Sequence, residues 1–230
     1  MGVEAVLVDL GNTLITGPRL REVFERVVLN VSAKSAKVDW STLARVFENV
    51  QSSLREVKKR LLVEVGLRRI LELVIRDAGL EGCGFLEELE AELIHRYAET
   101  RRSYEDTRLF LEQLRSNGVR VAVVSNIPDH RMAVEPLKRL GLMSLVDVVV
   151  TSAKVGVRKP HPLIYLTAMR ATSASHVVFV GDSIENDVLG ALNVGLNAIH
   201  VFRHGVRIKV SVDSLSQALD IILSGELNSL

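Results

Sequence analysis

The chain of 230 residues holds a single cysteine, Cys83, which excludes an internal disulfide framework and a cysteine-rich zinc site. Cys83 stands between two helical patterns with no base near it in sequence, and reads as a loop or packing residue. Aromatic residues are only 4% against a hydrophobic fraction of 47%, so the core is aliphatic, mostly Val, Leu, Ile and Ala. Excess charge is missing too. Lys+Arg 29 against Asp+Glu 28 leaves a net charge of +1. A dedicated nucleic-acid or anionic-membrane surface needs a basic excess, so neither partner is expected. No run approaches the ~20 apolar residues of a membrane span. The first segment reads as a strand, not as a leader sequence. These absences predict a soluble, cytoplasmic protein with the length of one domain plus an insertion; monomer and homodimer are both compatible with them.

What is present is organised around residues Val3 to Leu14. An apolar run, Ala5 to Val8, stops at Asp9, followed by Gly11, Asn12 and Thr13. An ionised carboxylate at the end of a buried strand must be paired, metal-bound or solvated in a cleft. A strand followed by an Asx or capping turn is the ordinary alternative. From Pro18 to about Arg101 the apolar spacing is helical throughout, in four stretches. Pro18 suits a helix start, Asp39 or Ser41 a cap, and Gly79 a helix end. A third stretch begins near Lys58 or Val63, and a fourth covers Leu86 to Tyr97.

The pattern then alternates. Helices are expected from Asp106 or Thr107, over Asp129 to Leu140, from Pro160, from Glu185 to Asn193, and after a cap at Ser211 or Asp213. Between them lie apolar strands: Val119 to Val124, Val146 to Val150, Val177 to Val180 and Ala198 to Val201. Strands apolar throughout, alternating with helices, predict an α/β fold with a doubly wound parallel sheet. The helical block falls inside it as an inserted subdomain. The expected division is a core of residues 1–16 and 102–230 with an insertion at 17–101.

In such sheets ligands bind beyond the carboxyl ends of the strands. Those ends carry Asp9, then Ser125 and Asn126, then the loop to Lys159, then Asp182. Asp9 can attack a phosphorus centre or ligate a metal. Asp182 and Asp187, in GDSIEND, are a carboxylate pair suited to a hard cation such as Mg²⁺. Ser125 and Asn126 offer a hydroxyl and an amide to phosphate oxygens, Lys159 a compensating charge, and the turn at Asn12 and Thr13 backbone N–H groups. Taken singly, each has an ordinary use: Ser125-Asn126 as a turn, Lys159 as a solvated loop residue, Asp182 as a helix cap. The six histidines show no metal spacing, with His161 read as a helix-start residue. Lys34, Lys37, Lys58 and Lys59 read as a solvated helical face.

Four segments in this order, DLGNTL at Asp9, VVSN at Ser125, GVRKPHPLIY at Lys159 and VFVGDSIENDVLGA at Asp182, resemble the haloacid dehalogenase-like hydrolase superfamily. The branch is the one with a helical cap inserted after the first strand. That resemblance implies a Rossmann-like core and a Mg²⁺-dependent hydrolase of small phosphorylated metabolites. It implies Asp9 as the nucleophile forming an aspartyl-phosphate, Ser125 as a phosphoryl ligand and Lys159 as its electrostatic partner. It places Mg²⁺ on Asp9, the Gly11 carbonyl and Asp182, with Asp187 orienting a metal-bound water, and gives substrate choice to the cap.

One position departs from the pattern. Family phosphatases usually carry a second Asp two residues after the nucleophile, as acid and then base; here Gly11 stands there. A general acid/base of that kind is typically worth 10²–10⁴-fold in rate. Other readings therefore stay open: a metal-independent 2-haloacid dehalogenase, a phosphonate hydrolase with a cap lysine, or a non-catalytic phosphometabolite-binding module.

Overall fold

A computed structural model of the chain describes residues 2–32, 40–80, 84–209 and 211–225. The strands are β1 (Ala5–Val8), β2 (Ile15–Thr16), β3 (Arg102–Ser103), β4 (Arg120–Ser125), β5 (Val148–Thr151), β6 (Val177–Gly181), β7 (Asn197–Val201) and β8 (Ser211–Val212). The first helices are α1 (Leu20–Ser32), α2 (Trp40–Leu61), α3 (Leu67–Asp77), α4 (Leu86–Glu99) and α5 (Thr107–Ser116). They are followed by α6 (Arg131–Arg139), α7 (Ser152–Val155), α8 (Pro162–Thr172), α9 (Gly190–Leu192) and α10 (Leu215–Ser224). Six strands form one parallel sheet in the order β5-β4-β1-β6-β7-β8.

The sheet is buried on both faces, which is why its strands lack polar alternation. Side chains of successive strand residues point to opposite faces. Val6 and Val8 of β1, Val121 and Val123 of β4 and Val178 and Val180 of β6 pack with α5, α6 and α10. Ala5 and Leu7, Ala122 and Val124, and Val177 and Phe179 pack on the other face with Ile164, Tyr165 and Ala168 of α8. Fully burying a side chain of this size is worth about 1.5–3 kcal/mol, so the central strands dominate the hydrophobic stabilisation.

Helices α1–α4 lie in sequence between β2 and β3, which pair antiparallel with Ile15 opposite Ser103 and Thr16 opposite Arg102. Their apolar faces meet: Phe24 of α1 stacks on Phe47 of α2 at 3.9 Å between centroids. Leu67, Ile70 and Leu71 of α3 and Leu89 and Leu93 of α4 complete a core continuous with one face of the sheet.

Several boundaries differ from expectation. The last helix is capped by the Ser214 hydroxyl, which accepts from the Gln217 N–H, while Ser211 belongs to β8. A two-residue strand is too short to show a period. Asp106 precedes α5 without capping it; its carboxylate accepts from Arg203 and from the Leu215 N–H at the start of α10. β5 begins at Val148, because Asp147 turns its carboxylate to the Val121 N–H at 2.8 Å. Helix α6 begins at Arg131, whose N–H is held by the Asp129 side chain at 2.8 Å. Cys83, Lys34, Lys37 and Asp39 lie outside the described residues.

Candidate active site

The sheet register sets the site. Val8 is level with Val123 and with Val180, so the three central strands end together. Asp9 follows β1 directly, and its N–H donates to the Val180 carbonyl at 2.9 Å, which prolongs the pairing by one step. Ser125 closes β4 opposite Thr151, and Asp182 follows β6. Each chain leaves the sheet on the same rim.

Lys159 reaches that rim from the loop before α8. Its ammonium donates to Asp9 Oδ1 at 2.5 Å, Asp187 Oδ1 at 2.7 Å and the Val124 carbonyl at 2.8 Å. All three of its protons have acceptors although the residue is only 3% exposed. Burial works against its charge, but Asp187 and Asp9 outweigh it and hold the Lys159 pKa above its usual value. Removing one partner from such a buried set typically costs about 3–5 kcal/mol, because the remaining charge is stranded. Asn126 fixes the lysine's backbone: its side-chain oxygen accepts from the Lys159 N–H at 2.7 Å and its amide donates to the Lys159 carbonyl at 3.0 Å. The Asn126 amide, read from sequence as a phosphate donor, thus faces the lysine backbone. Ser125 is buried, and its hydroxyl makes no hydrogen bond among the described residues.

The turn after Asp9 is a tight bridge. Ile15 N–H donates to the Leu10 carbonyl at 2.9 Å and Asn12 N–H to the Ile15 carbonyl at 2.7 Å. The Gly11 carbonyl between them takes no part. Asn12 adopts φ 58, the left-handed region that Asn tolerates; it is exposed. Thr13 is buried and donates to Asp182 Oδ1 at 3.3 Å.

Residues 184–189 form a π-helical turn before α9, where a regular helix was expected. Apolar spacing cannot distinguish one extra residue in a turn. The consequence is positional: buried Asp187 folds back under the rim, accepting from Ser183 N–H at 2.9 Å as well as from Lys159. Ser183, not Asp182, caps this turn through Asn186 N–H at 3.2 Å. Gly181 leaves room for Asp187; a Cβ there would stand 2.4 Å from its Cγ. His200, unassigned from sequence, is buried and bonds the Asp182 carbonyl through Nε2 at 2.9 Å and Ser211 through Nδ1 at 2.6 Å. No local pattern marks it, since its partner is on another strand. His161 caps α8, its Nδ1 accepting from Leu163 N–H at 3.2 Å.

Asp9, Asp182 and Asp187 present carboxylate oxygens within 4.8 Å of one another. Lys159 alone does not balance them. Burial, and then the neighbouring Asp187 and Asp182, push Asp9 up to about 7 against the pull of Lys159. Asp182 is raised as well, by burial and by Asp187. An all-oxygen set carrying surplus negative charge fits a hard divalent cation, which would relieve both shifts.

Lys58 was expected on a solvated face. Its side chain is instead 13% exposed and paired at 2.9 Å with Glu64, whose own side chain is 1% exposed. Glu64 also receives Arg158 and, at 2.6 Å, the Ser152 hydroxyl. The segment after α2 is docked on the loop before Lys159 by the Val63–Val157 bridge and by Arg158 N–H donating to Leu62 O at 2.7 Å.

A parallel sheet with carboxylates and a lysine gathered at its carboxyl rim is the ligand-binding arrangement of a Rossmann-like α/β protein. Residues 3–195 match the family model of the haloacid dehalogenase-like hydrolases, and the chain belongs to that family. It is 31% identical to the ribulose-1,5-bisphosphate 5-phosphatase of Halopiger xanaduensis, over 85% of this chain and 83% of that one. It is 29% identical to the glyceraldehyde 3-phosphate phosphatase of Methanopyrus kandleri, over 87% and 84%. The fold is also that of the 2-haloacid dehalogenase of Pseudomonas syringae pv. Tomato (TM-score 0.74, 21% identity, 97% and 99% covered). Among the described residues, no helix is long and apolar enough to cross a membrane.

Proposed function

We propose that the chain is a Mg²⁺-dependent phosphatase of small phosphorylated metabolites, working through an aspartyl-phosphate on Asp9. The observation that carries this reading is the Asp9 carboxylate, held on one oxygen by buried Lys159 within a cluster of two further carboxylates. The two relatives named above as phosphatases support it.

Lys159 holds Oδ1 of Asp9, which leaves Oδ2 to attack phosphorus. The bond from phosphorus to the leaving oxygen breaks, its electron pair goes with that oxygen, and a proton from water completes the alcohol. Gly11 has no side chain to supply that proton. The unengaged Ser125 hydroxyl binds a phosphoryl oxygen, and Lys159 offsets the charge that builds up. Water then attacks the acyl-phosphate, regenerating the Asp9 carboxylate and releasing inorganic phosphate. Asp9, Asp182 and the Gly11 carbonyl would hold Mg²⁺, with Asp187 behind them; the ion supplies charge neutralisation at the phosphoryl oxygens. Helices α1–α4 act as a cap that excludes water and selects the substrate.

Dehalogenation uses the same attacking Asp but has no need of the carboxylate cluster. The likeness to the Pseudomonas protein, at 21% identity, speaks for the fold alone.

Purified protein is incubated with p-nitrophenyl phosphate, with Mg²⁺ or with EDTA, and separately with 2-chloropropionate. Phosphate release that needs Mg²⁺ and disappears in Asp9→Asn is expected. Halide release at a comparable rate, or turnover retained in Asp9→Asn, overturns the reading.

A further inference from the structure

A cavity of about 390 Å³ opens between helix α2 and the loop that carries Lys159. That volume suits a small metabolite. Its wall holds five basic side chains, Arg55, Lys58, Lys59, Arg158 and Lys159, against one acidic one, Glu185. For a chain of net charge +1 this is a strong local concentration.

Two features show that the arrangement is more than a basic helix end. Cations in a last helical turn are favoured by the macrodipole, which accounts for their sign. It does not account for Arg158, which comes from another element. Elsewhere, exposed helical arginines pair with a carboxylate four residues away, as Arg21 with Glu25, Arg68 with Glu72 and Arg108 with Glu112. Arg55 and Lys59 have no carboxylate partner among the described residues, and sit at i, i+4, where like charges repel. Beneath them, buried Glu64 grips both Lys58 and Arg158 and fixes those two heads at the cavity wall. The site is thus preorganised and cationic, and its lining includes Lys159, the residue that holds Asp9.

We infer that this cavity binds a second anionic group of the substrate, so the preferred substrate is a phosphomonoester carrying a further phosphate or carboxylate. The inference rests on the phosphatase reading for the reaction at Asp9, while the recognition it describes is separate from turnover. Lys159 and Asp9 take the reacting phosphoryl group. Arg55, Lys59 and the free edges of Lys58 and Arg158 take the distal anion, the arginines through paired N–H donors.

The test measures binding by calorimetry in the Asp9→Asn protein with Mg²⁺, where hydrolysis does not intervene. The ligands are glycerol 3-phosphate, whose tail is neutral, 3-phosphoglycerate, whose tail is a carboxylate, and fructose 1,6-bisphosphate beside fructose 6-phosphate. At least one doubly anionic ligand is expected to bind about tenfold more tightly than its neutral-tailed partner. The arm that shows the preference identifies the anion as carboxylate or phosphate. Adding Arg55→Gln and Lys59→Gln is expected to shrink that ratio to near unity. Equal affinities in the parent protein, no binding of any of the ligands, or a ratio that survives the two substitutions overturns the inference. Preserved binding preference in a wild-type protein that releases phosphate neither from these compounds nor from p-nitrophenyl phosphate upholds the anion site and removes the phosphatase reading instead.

Discussion

Replacing Gly11 with Asp tests the chemistry at its weakest point. The phosphatase reading lacks a group to protonate the leaving oxygen, and that role is worth about 10²–10⁴-fold, or about 3–5 kcal/mol of barrier. The backbone accepts the change. A Cβ built on Gly11 meets nothing within 4 Å, Gly11 is exposed, and the left-handed residue of the turn is Asn12, not Gly11. The bridge hydrogen bonds on either side use Leu10, Asn12 and Ile15 and are untouched. Gly11→Asp is therefore expected to fold normally and to raise kcat. The gain should depend on the leaving group. A nitrophenolate leaves with little help, so p-nitrophenyl phosphate should gain least. An alkyl phosphate such as glycerol 3-phosphate needs the proton and should gain towards the upper part of the range. Steady-state kinetics on both substrates, with circular dichroism to confirm folding, gives the answer. A folded variant with no gain on the alkyl phosphate refutes the idea that the missing acid limits the rate.

Two further expectations follow from local geometry. Gly181→Ala forces a methyl group to 2.4 Å from the Asp187 carboxyl carbon, which is anchored by Lys159 and Ser183 and has no room to retreat. Overpacking of this kind costs about 1–3 kcal/mol, read as a fall in Tm of about 2–4 °C for each kcal/mol, with turnover falling as well; an unchanged Tm contradicts the packing described. His130 is expected to titrate below 6.5, because burial and nearby Lys154 disfavour its proton and Asp129 only partly restores it. The unfolded chain then binds more protons than the folded one between the lowered pKa and 6.5, so this residue makes stability rise with pH across that window. An NMR titration of its ring that gives 6.5 or higher refutes the assignment.

The sheet was legible because it is buried on both faces: Ala5–Val8 and Val177–Val180 are apolar without interruption, and Asp9 and Asp182 stand at their ends. A parallel sheet brings strand ends to one rim whatever the loop lengths, so the gathering of Asp9, Ser125 and Asp182 needed no coordinates. What stayed hidden depends on partners distant in sequence. Lys58 looks like a solvated cation until Glu64 is seen between it and Arg158. His200 looks idle until β6 and β7 are laid side by side and its ring meets the Asp182 carbonyl. Asn126 offers the same amide to a phosphate or to a backbone, and only the fold shows it turned to Lys159. The π-helical turn that places Asp187 differs from a helix by one residue, below what apolar spacing resolves.

The pairing of Thr16 with Arg102 has a consequence for how this chain tolerates change. Opposed residues of an antiparallel pair lie about 4.5–5.5 Å apart, so at this two-stranded ribbon, separate from the six-stranded sheet, the main chain departs and returns at a single spot. Topologically, residues 17–101 are the loop of a hairpin. The entropy of closing a loop grows only logarithmically with its length. The closure cost is therefore almost indifferent to how much chain is strung between those two residues, and what ties the helical block to the base is its packing on one face of the sheet and the docking of residues 62–64 on the loop before Lys159. Length can be gained at this seam at little entropic cost, and a different helical block grafted there must reproduce the apolar face and the Glu64 contacts that this one offers to the rim.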